Sequence, residues 1–349
     1  VAADQALATA RPAAAAPVAH RARAARWWLI ATLGLTAGAA VTAIALAPSG
    51  SAPAPEGLAF LLFVGSSVHV ASTGWFYTVP QVRQYMRGHR VRYVWAPIAL
   101  ITGACAVAAV TPVRLLYWLL LPYFGWQFFH FHKQNLGIAA LAAAARRIRP
   151  LSRPERRVLR AAGVASIAAL VTRPGRLQLP LPQEIRGGWL TVPAAAFAAC
   201  VLAGLILLAR RARSERPASF AAAYLTALLF GLPVFAFTSP YAAVASLTIA
   251  HGLQYLLLMG LLAAGGPDRA RRPLRLAVLC NIALIGGSLL SLASDGLRFG
   301  AGTRFVYGIF LGAVMAHFVV DAGLWRMRAE FPRAFLTARL PFLVPAERQ

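Results

Sequence analysis

The feature that most constrains this chain is a repeat of apolar runs, each about 20 residues long, separated by short clusters of arginine. A run of that length is what a helix needs to cross the hydrocarbon core of a bilayer. Ten such runs are readable: Trp27–Ala47, Gly57–Tyr77, Tyr93–Val110, Pro112–Phe131, Arg160–Thr172, Trp189–Ala209, Phe220–Thr238, Tyr241–Ala264, Leu274–Ala293 and Arg304–Trp325. A mean hydropathy of +0.63 with only 13% charged residues agrees with a membrane chain and disagrees with a soluble domain of 349 residues. The expected fold class is therefore all-α, a polytopic integral membrane bundle of about ten helices.

The formal net charge of +25 would indicate a nucleic-acid partner in a soluble protein. Here the arginines mark topology instead. With the N-terminus in the cytoplasm, the clusters Arg11–Arg26, Arg83–Arg92, Arg146–Arg160, Arg210–Arg216, Arg269–Arg275 and the C-terminal tail all fall on one side. Only Arg114, Arg173, Arg176, Arg186, Arg298 and Arg304 fall on the other. The positive-inside rule selects this orientation, and an even number of spans returns the C-terminus to the cytoplasm. Residues 1–26 then read as a disordered basic tail, 27–328 as one membrane domain and 329–349 as a cytoplasmic C-terminal tail. A bacterial cytoplasmic membrane is the expected location.

Cys105, Cys200 and Cys280 stand alone in apolar runs, without the spacing of a metal or redox pair, and read as small core residues. No glycine-rich phosphate loop and no paired acidic motif is present. The histidines carry more information. His20 lies in the tail and His89 in an arginine-rich loop, both expected to be solvated. His69, His130, His132, His251 and His317 lie on the second, fourth, eighth and tenth spans. All four spans run from outside to inside, so their imidazoles reach similar depths. Ionisable groups at such depth are costly and by default mark function.

Neighbouring polar residues share the same helical faces. Ser66, His69 and Thr73 form one stripe, and Thr248, His251, Gln254 and Tyr255 another. His317 and Asp321 are one turn apart, and Asp321 is the one acidic residue well inside a predicted span. In YFGWQFFHFHKQNLG, His130 and His132 point about 200° apart on a regular helix, so both cannot face one centre. His130 with Gln134 makes the better inward pair, and His132 with Asn135 is expected at the cytoplasmic edge. Residues alone leave the choice open, so His69, His130, His132, His251, His317 and Asp321 are all candidate metal ligands. Asp321, Lys133, Gln134 and Tyr255 are candidate catalytic groups, although Lys133 also reads as a side chain snorkelling towards headgroups. Pro122 is expected to kink the fourth span.

Neutral imidazoles with one carboxylate suit non-haem iron, one or two ions, with zinc and copper as alternatives. The corresponding activity is an oxygenase that takes a lipid-soluble substrate from the bilayer, uses O2 and draws on an electron donor. Two other readings compete. One is a haem redox protein with axial histidine pairs, and the other is a proton- or metal-coupled transporter.

The patches VHVAST, HFHKQNLG, AHGLQY and AHFVVDAGLW resemble the bacterial membrane family of β-carotene-cleaving dioxygenases and its bacteriorhodopsin-related-protein-like relatives (Brp/Blh-like). The resemblance implies a helical membrane fold in which His69, His130 or His132, His251 and His317 hold a non-haem iron. Asp321 matches the acidic residue one turn after that family's last histidine. The family's early proline-histidine-glycine motif is absent here, which points to a relative acting on another apolar substrate.

Overall fold

The computed structural model describes residues 18–48, 52–181, 191–266, 268–297 and 301–343. Its elements are helical, and no strand occurs among the described residues. The helices are α1 (Val18–Ala45), α2 (Glu56–Thr78), α3 (Pro80–Gly88), α4 (Val91–Val110), α5 (Val113–Ala145), α6 (Arg153–Val171), α7 (Thr191–Ala209), α8 (Ala218–Leu229), α9 (Leu232–Ala236), α10 (Tyr241–Ala264), α11 (Arg272–Leu297), α12 (Arg304–Leu324) and α13 (Glu330–Arg339).

Seven of them are long and apolar enough to cross a membrane: α1, α2, α4, α7, α10, α11 and α12. Three expected spans fall outside this set for distinct reasons. α5 is a continuous 33-residue helix that runs on to Ala145 and passes Pro122 unbroken, but its aromatic and polar middle lowers its hydropathy. α6 opens with an arginine-rich turn that dilutes its apolar length. The seventh run is broken at Gly231 into α8 and α9, neither long enough alone.

The ends of the chain also differ from expectation. α1 begins at Val18, so residues 18–26 continue the first helix instead of belonging to a disordered tail; residues 1–17 lie outside the described set. At the other end, α13 is an amphipathic helix with Pro332 and Leu336 buried. Arg339 at its end donates to the Leu262 and Gly265 carbonyls, 3.2 Å each, and lies over the Trp75 ring at 5.6 Å. Part of the expected C-terminal tail is thus tied to the end of α10; residues 344–349 lie outside the described set.

α10 packs against α1 and α2, α12 against α4 and α11, and α6 against α7. The core has two apolar halves. One holds Trp75, Tyr255, Met259, Val320 and Leu324, and the other holds Phe131, Ile249, Ala250, Val314 and Phe318. Along α10 the half changes between Ala250 and Tyr255, and along α12 between Phe318 and Val320, in each case within about one turn of the histidine. The histidines therefore lie at the junction of the halves.

Three crossings in this bundle depend on glycine. A Cβ on Gly252 of α10 would collide with the backbone of Gly65 on α2, and one on Gly65 would sit 2.7 Å from Ile249 Cα. On α12, Gly308 and Gly312 meet the backbone of α4 at Cys105 and Ile101, a small-xxx-small contact of the kind that lets membrane helices approach closely. Gly287 of α11 lies against Val68, one residue before His69. Of the cysteines, Cys105 occupies such a packed crossing, but Cys280 is exposed on α11 and is not a core residue.

At the arginine-rich end, one ion pair fastens α6 to the end of α7. Ser152 and Glu155 form a capping box, with Ser152 N–H donating to Glu155 Oε2 at 2.6 Å. The same carboxylate receives Arg211 Nε at 2.6 Å and Nη2 at 2.9 Å, while Arg211 also donates to the Arg149 and Pro150 carbonyls. Burial alone would raise the Glu155 carboxyl, but Arg211 and Ser152 outweigh it and lower the pKa from 4.5 to about 2. The pair's contribution is thus complete above pH 4.5 and fades as pH falls towards 2. Arg211→Leu leaves a buried carboxylate unpaired and is expected to cost roughly 3–5 kcal/mol. In thermal unfolding of detergent-solubilised protein, the double variant Glu155→Leu/Arg211→Leu should recover part of that loss.

Candidate metal centre

Four helices deliver the imidazoles. On α2, a π-helical turn at Val64–Val68 directly precedes His69, and on α10 another at Tyr241–Ala245 lies upstream of His251. A wide turn of this kind rotates everything that follows about the helix axis and is frequent at functional sites. The Gly65–Gly252 contact then brings the two backbones close enough for His69, one turn beyond Gly65, to meet His251, which neighbours Gly252.

The rings form a closed circuit. Centroid separations are 4.9 Å for His69–His251, 5.0 Å for His251–His130, 5.0 Å for His130–His317 and 5.1 Å for His317–His69, all steeply inclined. Four imidazoles around one ion, each nitrogen about 2.1 Å from it, would place neighbouring ring centroids about 5 Å apart. Phe131 stacks on His251 at 4.1 Å and Phe318 on His130 at 4.5 Å, which fixes those ring planes.

Six imidazole nitrogens in this circuit are buried without a well-formed hydrogen bond: both of His69, which has only the Gly65 and Ser66 carbonyls close by, both of His251, and Nε2 of His130 and of His317. Leaving a polar atom unpaired in an apolar interior is costly, and each such atom calls for an explanation. A metal ion supplies one. His69, His251 and His317 offer nitrogens within 4.8 Å of one another, and His130, His317 and Asp321 form a second such group. Asp321 Oδ2 lies 3.8 Å from His317 Nε2 and 4.0 Å from His130 Nε2, in reach of a shared ion but too far for a hydrogen bond.

With Asp321 ionised, counting protons fixes the tautomer of His317. Tyr255 donates its single hydroxyl proton to Asp321 Oδ1 at 2.8 Å, so at 2.9 Å it accepts from Thr73. Thr73 has then used its proton and accepts from His317 Nδ1–H at 2.6 Å. Nε2 of His317 is left with a free lone pair, turned towards Asp321. Such outer partners orient a ligand imidazole and raise its basicity.

A second polar layer supports α10. Gln134 Nε2 donates to the His251 carbonyl and to Gln254 Oε1, both at 3.0 Å. Gln254 in turn reaches Thr36 on α1 at 2.7 Å and Asn135 at 3.2 Å. Asn135 is therefore a buried member of this layer and not a residue of the cytoplasmic edge.

His132 is also corrected. It points away from the circuit, is buried against Phe230, and meets Ser166 Oγ at 2.8 Å; it is neither a member of the metal cluster nor an edge residue. A Cβ on Gly163 would strike this ring, so the slot is shaped to the imidazole. Lys133 is exposed and lies 5.8 Å from the Phe129 ring centroid, and it does not touch the cluster. His20 and His89 are exposed, as expected. Thr73, known from the sequence only as part of a polar stripe, proves to be the link between His317 and Tyr255.

A cavity of about 670 Å³ opens beside the centre, within the range of roughly 300–1,000 Å³ typical of ligand pockets. His130, Gln134, Tyr255 and Asp321 line it, together with apolar residues of α5, α10, α12 and α13. His130, with 13% of its side chain exposed, is the ligand candidate open to this space, whereas His69, His251 and His317 are sealed.

No protein-family model, curated protein or solved structure matches this chain.

Two outcomes check the geometry. Gly252→Ala should separate α2 from α10 and lower binding of added Co2+ or Fe2+ at least tenfold, measured on folded, purified protein. Thr73→Val should weaken metal affinity by about 10- to 100-fold, the usual cost of losing an outer partner, with little change in thermal stability.

Proposed function

We propose that the chain is a membrane-embedded, metal-dependent oxygenase that acts on a lipid-soluble substrate, with non-haem iron as its metal. The observation that carries this reading is the donor set His130, His317 and Asp321, of which His130 and Asp321 line the cavity while His317 closes the set from behind. Two histidines and one carboxylate with open positions form the ligand set of non-haem iron oxygenases. Calcium and magnesium would want more oxygen ligands, and zinc hydrolysis would want a water path and a separate general base. Imidazole rings about 5 Å apart and steeply inclined leave no slot for a macrocycle between them, which argues against haem.

Bound iron would supply the activation of O2. The chain's own residues do the rest. Asp321 and His130 present donors at the cavity wall, and Tyr255 holds Asp321 Oδ1 so that Oδ2 faces the centre. Thr73 keeps the His317 proton on Nδ1. Gln134 ties the cavity wall to the backbone of His251. The two apolar halves of the core keep bulk water from the sealed histidines. Because Nδ1 of His317 is committed to Thr73, its one free nitrogen serves a single ion, and the expected content is one iron per chain, or two if His69 and His251 take a second.

The same reading includes ten spans with both termini cytoplasmic, as the arginine distribution favours, and a location in a bacterial cytoplasmic membrane. The four histidine-bearing patches that resemble the β-carotene-cleaving dioxygenases support the choice of iron and O2. The electron donor is taken to be a separate partner.

Elemental analysis of the purified protein tests the proposal. We expect iron without a Soret band, a sharp loss of iron in His251→Ala and His317→Ala, and retention of iron in His132→Ala. Equal metal content in wild type and in every variant of the circuit would refute the reading, and a Soret band would replace it with a haem protein.

A further inference from the structure

The cavity beside the centre carries charges that a neutral hydrocarbon would not require. Arg92, Lys133, Arg326 and Arg328 all line it. Asp321 is the single acidic residue on its wall, and that carboxylate is already engaged by Tyr255. Among the described residues none of the four cations makes an ion pair with a carboxylate.

Lys133 is the most informative of them. It is the chain's one lysine and follows His130 by three residues, so it shares the face of α5 that borders the cavity. α5 continues to Ala145, which places Lys133 about 18 Å along the axis from the arginine-rich end of its helix. The Lys133 side chain is exposed and borders the same cavity as the three arginines. An exposed ammonium beside a cavity, with no carboxylate paired to it, is a ready partner for an anionic ligand group. Its nearest aromatic neighbour, Phe129 at 5.8 Å, provides only a weak substitute.

Away from these charges and from the polar face at His130, Gln134 and Tyr255, the wall is largely apolar, with Leu258 of α10 and Leu336, Leu340 and Leu343 from α13 and the residues that follow it. We propose that the cavity binds a single-chain amphiphile with an anionic head, a carboxylate or an alkyl phosphate, whose head is held by Lys133 with Arg326 and Arg328 and whose chain lies along the leucine wall. This rests on the reading of the cavity as the seat of the lipid-soluble substrate, and it narrows that substrate from any apolar molecule to an anionic lipid. A neutral polyene would leave the four cations of this cavity without a counter-charge, whereas an anionic head pairs with them and displaces no ion pair among the described residues.

The test is displacement of a fluorescent fatty acid from the full chain in phosphatidylcholine nanodiscs. Competitors are palmitate, hexadecyl phosphate, methyl palmitate, hexadecanol, phosphatidylglycerol and inorganic phosphate, with metal content measured on the same samples. Palmitate and hexadecyl phosphate are expected to compete at least tenfold better than the ester and the alcohol. Lys133→Gln and Arg326→Gln/Arg328→Gln should remove that preference while leaving competition by methyl palmitate within about twofold. Equal competition by acid and ester would overturn the proposal, as would displacement by inorganic phosphate alone or by phosphatidylglycerol as effectively as by palmitate. The metal measurement separates the two ideas. Anion preference in a protein without iron would sink the oxygenase and keep the amphiphile, and iron without anion preference would do the reverse.

Discussion

Everything in this molecule turns on six imidazole nitrogens that lie in an apolar interior without a well-formed hydrogen bond. In water each would exchange hydrogen bonds freely, and in a membrane core none is available. A sequence could avoid the penalty by placing apolar residues at these positions, as it does along most of α7 and α11. Instead four helices converge on one layer, and around it the chain spends its few buried polar residues. Thr73, Tyr255 and Asp321 form one relay, and Gln134, Asn135 and Gln254 form another. These relays satisfy their own members and leave the inward nitrogens free. That is the arrangement expected when the missing partner is an ion.

Glycine makes the convergence possible. Imidazoles can share an ion only if their helix backbones come unusually near, and in a bilayer no hydrophobic force between helices enforces this. Gly65 against Gly252 sets the distance between α2 and α10, and Gly287 against Val68 seats α11 behind His69. Gly308 and Gly312 do the same for α12 against α4, which positions His317 from the opposite side. Gly65, Gly252 and Gly312 each lie within two turns of a histidine on their own helix, and Gly287 packs on the residue before His69, so packing and imidazole placement are set by the same contacts.

Most of the site was readable because hydropathy and helical period are local properties. Depth along a span placed His69, His130, His251 and His317 in one layer, and the one-turn spacing of His317 and Asp321 predicted their neighbourhood. The 200° separation of His130 and His132 correctly required that one turn away, and the pairing of His130 with Gln134 anticipated which. What the residues did not disclose depends on contacts between distant segments. His132 found Ser166 on α6 and Asn135 found Gln254, where the linear chain suggested only an exposed cytoplasmic end. The glycine crossings carry a signal in the small-residue spacing of Gly308 and Gly312, but nothing local names their partners on α4. The extent of α5 was hidden for a physical reason: its aromatic, histidine-rich middle lowers hydropathy where the backbone stays helical.

That same helix links the two proposals. α5 contributes a sealed packing residue in Phe131, a cavity-facing imidazole in His130, a cation in Lys133 and a tether to α10 in Gln134, all within about one turn and a half. A helix meeting only lipid would not interleave these types, and a helix meeting only protein would not leave the lysine without an acid. The sequence of roles around its circumference runs from apolar core, to metal donor, to anion partner. A ligand whose head pairs with Lys133 would therefore lie one turn from His130. The distance between the head and the first carbon to meet the centre would then be set by the pitch of α5 and not by the length of the ligand's chain. Under the proposed reading the centre would act near the head of the amphiphile, and chain length would alter affinity far more than the site of attack.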